Sequence, residues 1–401
     1  MSMDNVNSVH KGSGRIPLRL YEPAWGSTLA SIILELEQLR VKQLGGPVPP
    51  YIFFQLKNIF QMLESLGSAR IEGNRTTLAE FVERVIEQKD KPKDGDSQIR
   101  EIANIESAIG FIEEHVQAGT IVTRALLSEV HKIVVKDLPL PPDGEGSSHP
   151  GQYRPMPVTI QKSDHVPPEP IQVPDYMEEL FKFVNEPVES KNDLLMTALA
   201  HHRMAWIHPY DNGNGRVVRM FTYALLIKQG FAVKTGRILN PTAIFCNDRQ
   251  RYYEMLSLAD SGEQEKILQW CEYVLKGLRD EIKKVDRLLD LAYMVTKILS
   301  PVLHFALERK LITKREHDIL EAVVISKDMT IKSAGIQKII GETSSVQRSR
   351  IIGGLKKKGM LFPLKKEGRV YTIGFANNYL LRGIMKVLED EGFIPESLNK
   401  N

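Results

Sequence analysis

The chain has 401 residues, 42% of them hydrophobic and 26% charged, with a net charge of +3; two or three soluble globular domains fit that length, and so small a charge singles out no class of partner. No apolar run approaches the ~20 residues of a membrane span, and the polar start MSMDNVNSVHKGSGR lacks the apolar core of a signal peptide. The two cysteines, Cys246 and Cys271, sit in apolar helix-like stretches, so buried thiols in a reducing compartment, the cytoplasm, are expected, with no membrane contact.

Residues 1–25 read as a flexible lead-in, rich in Gly, Ser, Asn and Pro. From Ser27 a helix is expected, because Leu29, Ile32, Ile33, Leu36 and Leu39 recur at three and four. A second helix spans about 52–66. A third follows Thr77-x-x-Glu80, which has the form of a capping box. The run 89–97 is a polar linker, and helices resume over 99–116 and 123–135. Residues 138–174 are dense in Pro and Gly and exclude a long helix. Within them Val158-Thr159-Ile160 is a strand candidate, and Ile171-Gln172-Val173 is its partner in a hairpin. Helices return over 175–185 and 193–207 and continue past a Gly-rich turn to about 299. Beyond Pro301, three short helices (316–325, 331–340, 344–358) lead into strand-like runs at 360–364 and 369–373. Three helices followed by a hairpin describe a winged helix-turn-helix.

The chemistry concentrates in His208-Pro209-Tyr210-Asp211-Asn212-Gly213-Asn214-Gly215-Arg216, with Arg219 one turn on. Gly213 and Gly215 let the backbone approach a ligand closely. The free N–H groups that open the next helix form an anion site. Arg216 and Arg219, at i and i+3, share a face and offer forked donors to phosphate. His208, with an unperturbed pKa of about 6.5, suits proton transfer near neutrality. A lone Gly-Asn-Gly is a common turn; the specificity lies in the whole array. His201 and His202 read as structural.

That array closely resembles the Fic-domain signature His-Pro-Phe-x-Asp/Glu-Gly-Asn-Gly-Arg-x-x-Arg. Pro150-Gly151-Gln152-Tyr153-Arg154 resembles the segment before the family's flap, and Tyr252-Tyr253-x-x-Leu256 the segment after the signature; the resemblance covers roughly 120–280. It implies transfer of AMP from ATP, with Mg2+, to a hydroxyl side chain of a protein. His208 is then the general base. Gly213, Asn214 and Gly215 cradle phosphates, Arg216 holds the α/β region, Arg219 holds the γ-phosphate, and Tyr253 contributes to the nucleotide site. The flap, 156–173, aligns the target protein as an added strand.

Two residues depart from the signature. Tyr210 replaces Phe, a mild change because the ring still packs. Asn212 replaces the acidic metal ligand, so one formal charge is lost where magnesium prefers anionic oxygen. Either phosphates and water carry the metal, or catalysis is weak. Asp260 stands where some relatives have an Asn near the adenine, which leaves base preference open.

Upstream, Ser68-Ala69-Arg70-Ile71-Glu72-Gly73 resembles the family's inhibitory motif, Ser/Thr-x-x-x-Glu-Gly/Asn. The resemblance implies that Ser68, Glu72 and Gly73 form a brake in which Glu72 pairs with Arg219. Without it, Glu72 is a solvated acid at a helix end. In the C-terminal module, 344–369 carries eight basic residues against one acid. On the third helix and wing of a winged helix such residues face DNA, with Gln347, Arg348 and Lys356 in reach. A protein-docking module has the same composition, so both partners stay open.

The fold expected is mainly α: a helical Fic core with a small β-hairpin flap and a C-terminal winged helix. Its domains are the lead-in (1–25), an N-terminal helical region with the inhibitory motif (26–118), the catalytic domain (119–299), the winged helix (300–380) and a tail (381–401). A self-inhibited adenylyltransferase is the leading function. The alternative is a weak or inactive nucleotide-binding regulator that binds DNA. Exposed N-terminal helical faces allow a homodimer.

Overall fold

Apolar residues spaced at three and four dominate the sequence, and helices dominate the structure. It is a computed structural model that describes residues 16–41, 48–87, 96–160, 163–187, 189–231, 238–341, 344–366 and 368–398. The lead-in before Ile16, most of the 89–97 linker and the wing's Glu367 lie outside the described residues.

Helices α1 (Thr28–Val41), α2 (Pro50–Ile71), α3 (Leu78–Ile86), α4 (Ser97–His115) and α5 (Arg124–Val134) build the N-terminal half. Thr77 and Glu80 exchange both bonds of the expected capping box at the start of α3. Then come α6 (Val173–Asn185), α7 (Ser190–Ile207), α8 (Asn214–Lys228), α9 (Thr242–Asn247), α10 (Arg249–Ala259) and α11 (Gln264–Asp286). Nearly every residue of α8 is buried. A helix buried all round is a core helix, and α8 packs against α2, α4, α5 and α7. Both cysteines are buried and free.

Among the described residues the expected flap hairpin is not formed by strands. Residues 155–160 are irregular, Pro170–Gln172 is a 3-10 turn, and Val173 opens α6. Proline explains the second half: Pro167, Pro168, Pro170 and Pro174 remove ladder donors and fix φ. The turn is closed by a reciprocal cap between Glu169 and Gln172.

After a 3-10 turn come α12 (Leu291–Tyr293), a π segment Met294–Leu299 and α13 (Ser300–Glu308). Pro301 brings no N–H to a continuing helix, and the π segment precedes it. Helix α14 (Lys314–Val324), strand β1 (Thr330–Lys332), helices α15 (Ser333–Ile340) and α16 (Ser345–Lys357), and strands β2 (Leu361–Pro363) and β3 (Val370–Ile373) follow. The strands form an antiparallel sheet in the order β1-β3-β2, with Ile331 opposite Tyr371 and Phe362 opposite Thr372. Strand β1 is an addition to the two expected.

The residues expected as a tail begin instead as α17 (Leu380–Asp390), which buries Leu380, Leu381, Ile384 and Leu388 against α13 and α3. Its apolar periodicity needs a partner face, and α13 supplies it. The C-terminal module also grips α2. Gln55 donates to Ile373 O (3.0 Å) and accepts from Phe375 N (2.7 Å), and Arg70 donates to Ser397 O (3.1 Å). Among the described residues no single helix is long and apolar enough to cross a membrane.

Candidate active site

Helix α7 stops at Ile207 because His208 turns left-handed, with φ 51° and ψ 61°. A non-glycine residue rarely takes that conformation unless its surroundings hold it. Arg154 does so. Its N–H donates to Pro209 O (2.9 Å) and its Nε to His208 O (2.8 Å). The same buried guanidinium donates to Met156 O (3.2 Å) and Pro168 O, tying the flap segment to the turn. The His208 ring is half-buried, and burial pushes its pKa down to about 4 although a backbone hydrogen bond at Ala205 opposes the shift. At neutral pH the ring is uncharged and can accept a proton.

The loop from Pro209 to Gly213 is stapled from within. Asn214 Nδ2 donates to Tyr210 O (2.8 Å), and Tyr210 N donates to Asn214 Oδ1 (2.9 Å). Tyr210 is buried and stacks on His131, with centroids 3.8 Å apart. Gly151 N–H donates to His131 Nδ1 (2.8 Å), which leaves Nε2–H to donate to Asn212 O (3.1 Å). Burial lowers the His131 pKa to about 4, which favours this neutral tautomer. Gly213 has φ 74°, and a side chain there would also meet Val135 at 3.0 Å. Glycine is needed at that position on both counts.

Both arginines are buried and meet acids from the N-terminal helices. Arg219 donates through Nε to Ser68 Oγ (2.8 Å) and through one terminal nitrogen to Ser68 O (2.9 Å) and Glu72 Oε1 (2.8 Å). Glu72 is aimed by the end of α2. Gly73, at φ 104°, ends the helix, with Gly73 N–H donating to Arg70 O and Asn74 N–H to Ala69 O. The Glu72 carboxylate lies on the first turn of α8, where a Cβ at Gly215 would collide with Oε1 and come 2.8 Å from Cδ. Burial raises the Glu72 pKa, but Arg219 and Arg216 outweigh it and leave the group lowered.

Arg216 is held differently. One terminal nitrogen donates to Glu145 O (2.8 Å), and the other lies 3.2 Å from Glu101 Oε1. Its Nε and the Glu101-facing nitrogen carry no hydrogen bond among the described residues. Glu101 is buried, accepts from Asn74 Nδ2 (2.8 Å), and has its pKa raised by burial against the pull of Arg216. Unlike Glu72 and Arg219, Glu101 and Arg216 face each other without a hydrogen bond. Two buried arginines on the opening turns of a helix, with unmet donors on one of them, suit a polyanion such as a nucleotide's phosphates.

The turn does not fit magnesium held by a protein carboxylate. Asn212 Oδ1 accepts from Gly213 N (2.7 Å), and Nδ2 donates to Gly146 O (3.1 Å). Asp211 is no substitute, because its carboxylate accepts from Ser147 Oγ, Ser148 N (3.0 Å) and His149 Nδ1 (3.1 Å). Tyr253 is 43% exposed, with the Arg249 guanidinium 5.5 Å from its ring centre. Asp260 pairs with His202 at 2.9 Å. His201 bridges Thr222 Oγ1 (2.7 Å) and Tyr252 OH (2.8 Å), a structural place.

The structure therefore brings His208, Gly213, Asn214, Gly215, Arg216, Arg219, Ser68, Glu72 and Gly73 to one end of α8. Gln347, Arg348 and Lys356 stand apart on α16. Lys356 is exposed, Arg348 is half-buried, and Gln347 Oε1 accepts from Ser344 N (3.2 Å) as part of the helix cap. Lys358, among the basic residues of that face, pairs with Glu316 at 2.6 Å. Glu101, Glu145, His131 and the full reach of Arg154 were not expected from the sequence.

Residues 121–226 match the Fic/DOC family model. Over 247 residues the chain is 27% identical to the Protein adenylyltransferase Fic of Nematostella vectensis, covering 59% of this chain and 49% of that protein. Over 196 residues it is 30% identical to the Protein adenylyltransferase Fic of Drosophila ananassae, covering 48% and 36%. The chain thus spans half or less of the length of these relatives. Among solved structures, a Fic family protein from Desulfovibrio desulfuricans G20 has a TM-score of 0.54 at 18% identity, covering 88% of this chain and 98% of that one. That likeness is one of fold.

Proposed function

We propose, from the match of residues 121–226 to the Fic/DOC family model, a protein adenylyltransferase held off by its own Glu72. Neutral His208 takes the proton of a target hydroxyl. The hydroxyl oxygen bonds to the α-phosphorus of ATP, the bond from that phosphorus to the bridging oxygen breaks, and pyrophosphate leaves. The N-terminus of α8 and Arg216 stabilise the phosphate charge. Arg219 receives the γ-phosphate once Glu72 lets go.

The observation that carries the reading is the Glu72 carboxylate, 2.8 Å from Arg219 and lying on Gly215. A carboxylate there occupies the donors a terminal phosphate needs, so ATP binds out of line for attack. The names of the two relatives support AMP as the group transferred. With Asn212 Oδ1 and the Asp211 carboxylate engaged elsewhere, phosphates and water would carry the magnesium.

Glu72→Gly is expected to raise self-labelling from ATP labelled at the α-phosphate by tenfold or more. Unchanged labelling, with ATP binding intact, would remove the brake from the proposal. A second reading, a weakly active nucleotide-binding regulator, is favoured by Asn212 alone. Adding Asn212→Asp to Glu72→Gly separates the two. A further large gain in the presence of Mg2+ places the limit at the lost carboxylate; no labelling in either variant supports the regulator. For α14–α16 and the β1–β3 sheet we retain the winged-helix reading, with Lys356 and the exposed hairpin lysines as the face toward DNA.

A further inference from the structure

At the junction between the helical core and the C-terminal module, three metal-binding side chains converge on helices other than α8. His304 stands on α13. His317 and Glu321 stand on α14 at i and i+4, which puts both on one face. One ligand atom from each of the three lies within 4.8 Å of the others. The two rings meet edge to face, with centroids 5.1 Å apart.

Each side chain is already oriented by a partner. His304 Nδ1 donates to Ser300 O (2.8 Å), and His317 Nδ1 bonds to Asp318 Oδ1 (3.1 Å). Glu321 Oε1 accepts from Ser300 Oγ (2.7 Å). What remains is two imidazole Nε2 atoms and one carboxylate oxygen. His317 is 5% exposed, and its Nε2 and Glu321 Oε2 are buried with no hydrogen bond among the described residues. Buried polar atoms in that state cost stability and call for an explanation. Metal-bound histidines characteristically show this arrangement, with the far nitrogen donating to a carbonyl or carboxylate.

We propose that His304, His317 and Glu321 bind one divalent transition-metal ion of the zinc class, through both Nε2 atoms and Glu321 Oε2. Two nitrogens and one oxygen select zinc over magnesium or calcium, which want oxygen alone. Tetrahedral ligands about 2.0–2.1 Å from zinc stand about 3.3 Å apart, so the set contracts on binding. His304 is exposed; its ring provides both the movement and the entry path. Three protein ligands leave one position to water. The ion ties α13 to α14 and leaves the residues around His208 untouched.

The test uses the full chain, stripped with a chelator and titrated with ZnCl2, with MgCl2 as the control. Expected are one zinc per chain by calorimetry and a Tm rise of roughly 3–5 °C at zinc near 100-fold over Kd. His304→Ala, at an exposed position where folding is not at risk, weakens zinc binding at least tenfold, as does His317→Ala. Ser300→Ala, which removes only an orienting hydroxyl, weakens it by about 10-fold. The proposal is overturned if the wild-type chain takes up no zinc, or if His304→Ala binds one zinc with unchanged Kd.

Discussion

Gly215 lies where the proposed phosphate site at the start of α8 meets the Glu72 carboxylate. Alanine improves a helix interior over glycine by up to ~1 kcal/mol, yet a Cβ here collides with Glu72. Gly215→Ala is therefore expected to lower stability by about 1–2 kcal/mol in the wild-type chain. In the Glu72→Gly background it becomes neutral or stabilising. Thermal melts of the four chains of that cycle measure the coupling; equal costs in both backgrounds would mean that Glu72 does not rest on Gly215. His208 supports a pH prediction. With its pKa lowered to about 4 by burial, the base form persists through neutrality. The kcat/KM of Glu72→Gly should show no inflection at pH 6.5 and should fall only as pH drops toward 4. A midpoint near 6.5 would place the ring in water.

The scale of elements explains how Glu72 reaches its place. Helix α2 delivers it at the C-cap, and Gly73 at φ 104° turns the chain away. Gly73→Ala strains that exit, costs about 1 kcal/mol or more, and shifts the carboxylate off Arg219. Self-labelling should rise while Tm falls; a variant with reduced Tm and no added labelling would show that the cap and the latch are independent. Thr77-x-x-Glu80 was legible as a cap because its partners lie three residues apart. The flap departs from the expected hairpin. Val158-Thr159-Ile160 has the residue types of a strand, but prolines deprive the 167–174 segment of ladder donors, and Arg154 binds Met156 O on one side of the flap and Pro168 O on the other instead. Glu101 left a signal that could have been found: on α4 it lies in line with Ile105, Ala108 and Ile112, all buried. An acid on an apolar stripe announces a buried partner. His131 does the same beside Leu127 and Val134 on α5.

Across the whole molecule, the C-terminal module holds α2, the helix that ends at Glu72. Gln55 on α2 satisfies Phe375 N and Ile373 O together, and Arg382 on α17 pairs with Glu83 on α3. Removing the amide of Gln55 strands two backbone groups at a contact between elements distant in sequence. Gln55→Ala should cost about 1–3 kcal/mol, measured as a lower denaturant midpoint with an unchanged slope. If the loss is under 0.5 kcal/mol, roughly the size of an ordinary surface substitution, the module does not steady α2 through this contact.

By itself the sequence determined what depends on near neighbours: helix periods, the cap at Thr77, the glycine turn before α8, and the i, i+3 placing of Arg216 and Arg219. Those follow from steric and hydrogen-bond rules that act over a few residues. Only the tertiary structure brings distant charges together, including the Glu72–Arg219 pair that the family resemblance implied. Arg219 lies 147 residues from Glu72 along the chain, and Arg216 finds Glu101 and Glu145 only because α4 and a loop pack over α8. Asn212, a ligand candidate by its place in the motif, turns its oxygen to Gly213. Burial then sets the electrostatics, because a low dielectric penalises every unpaired charge and makes each partner's position decide whether a group is neutral, paired or an open donor.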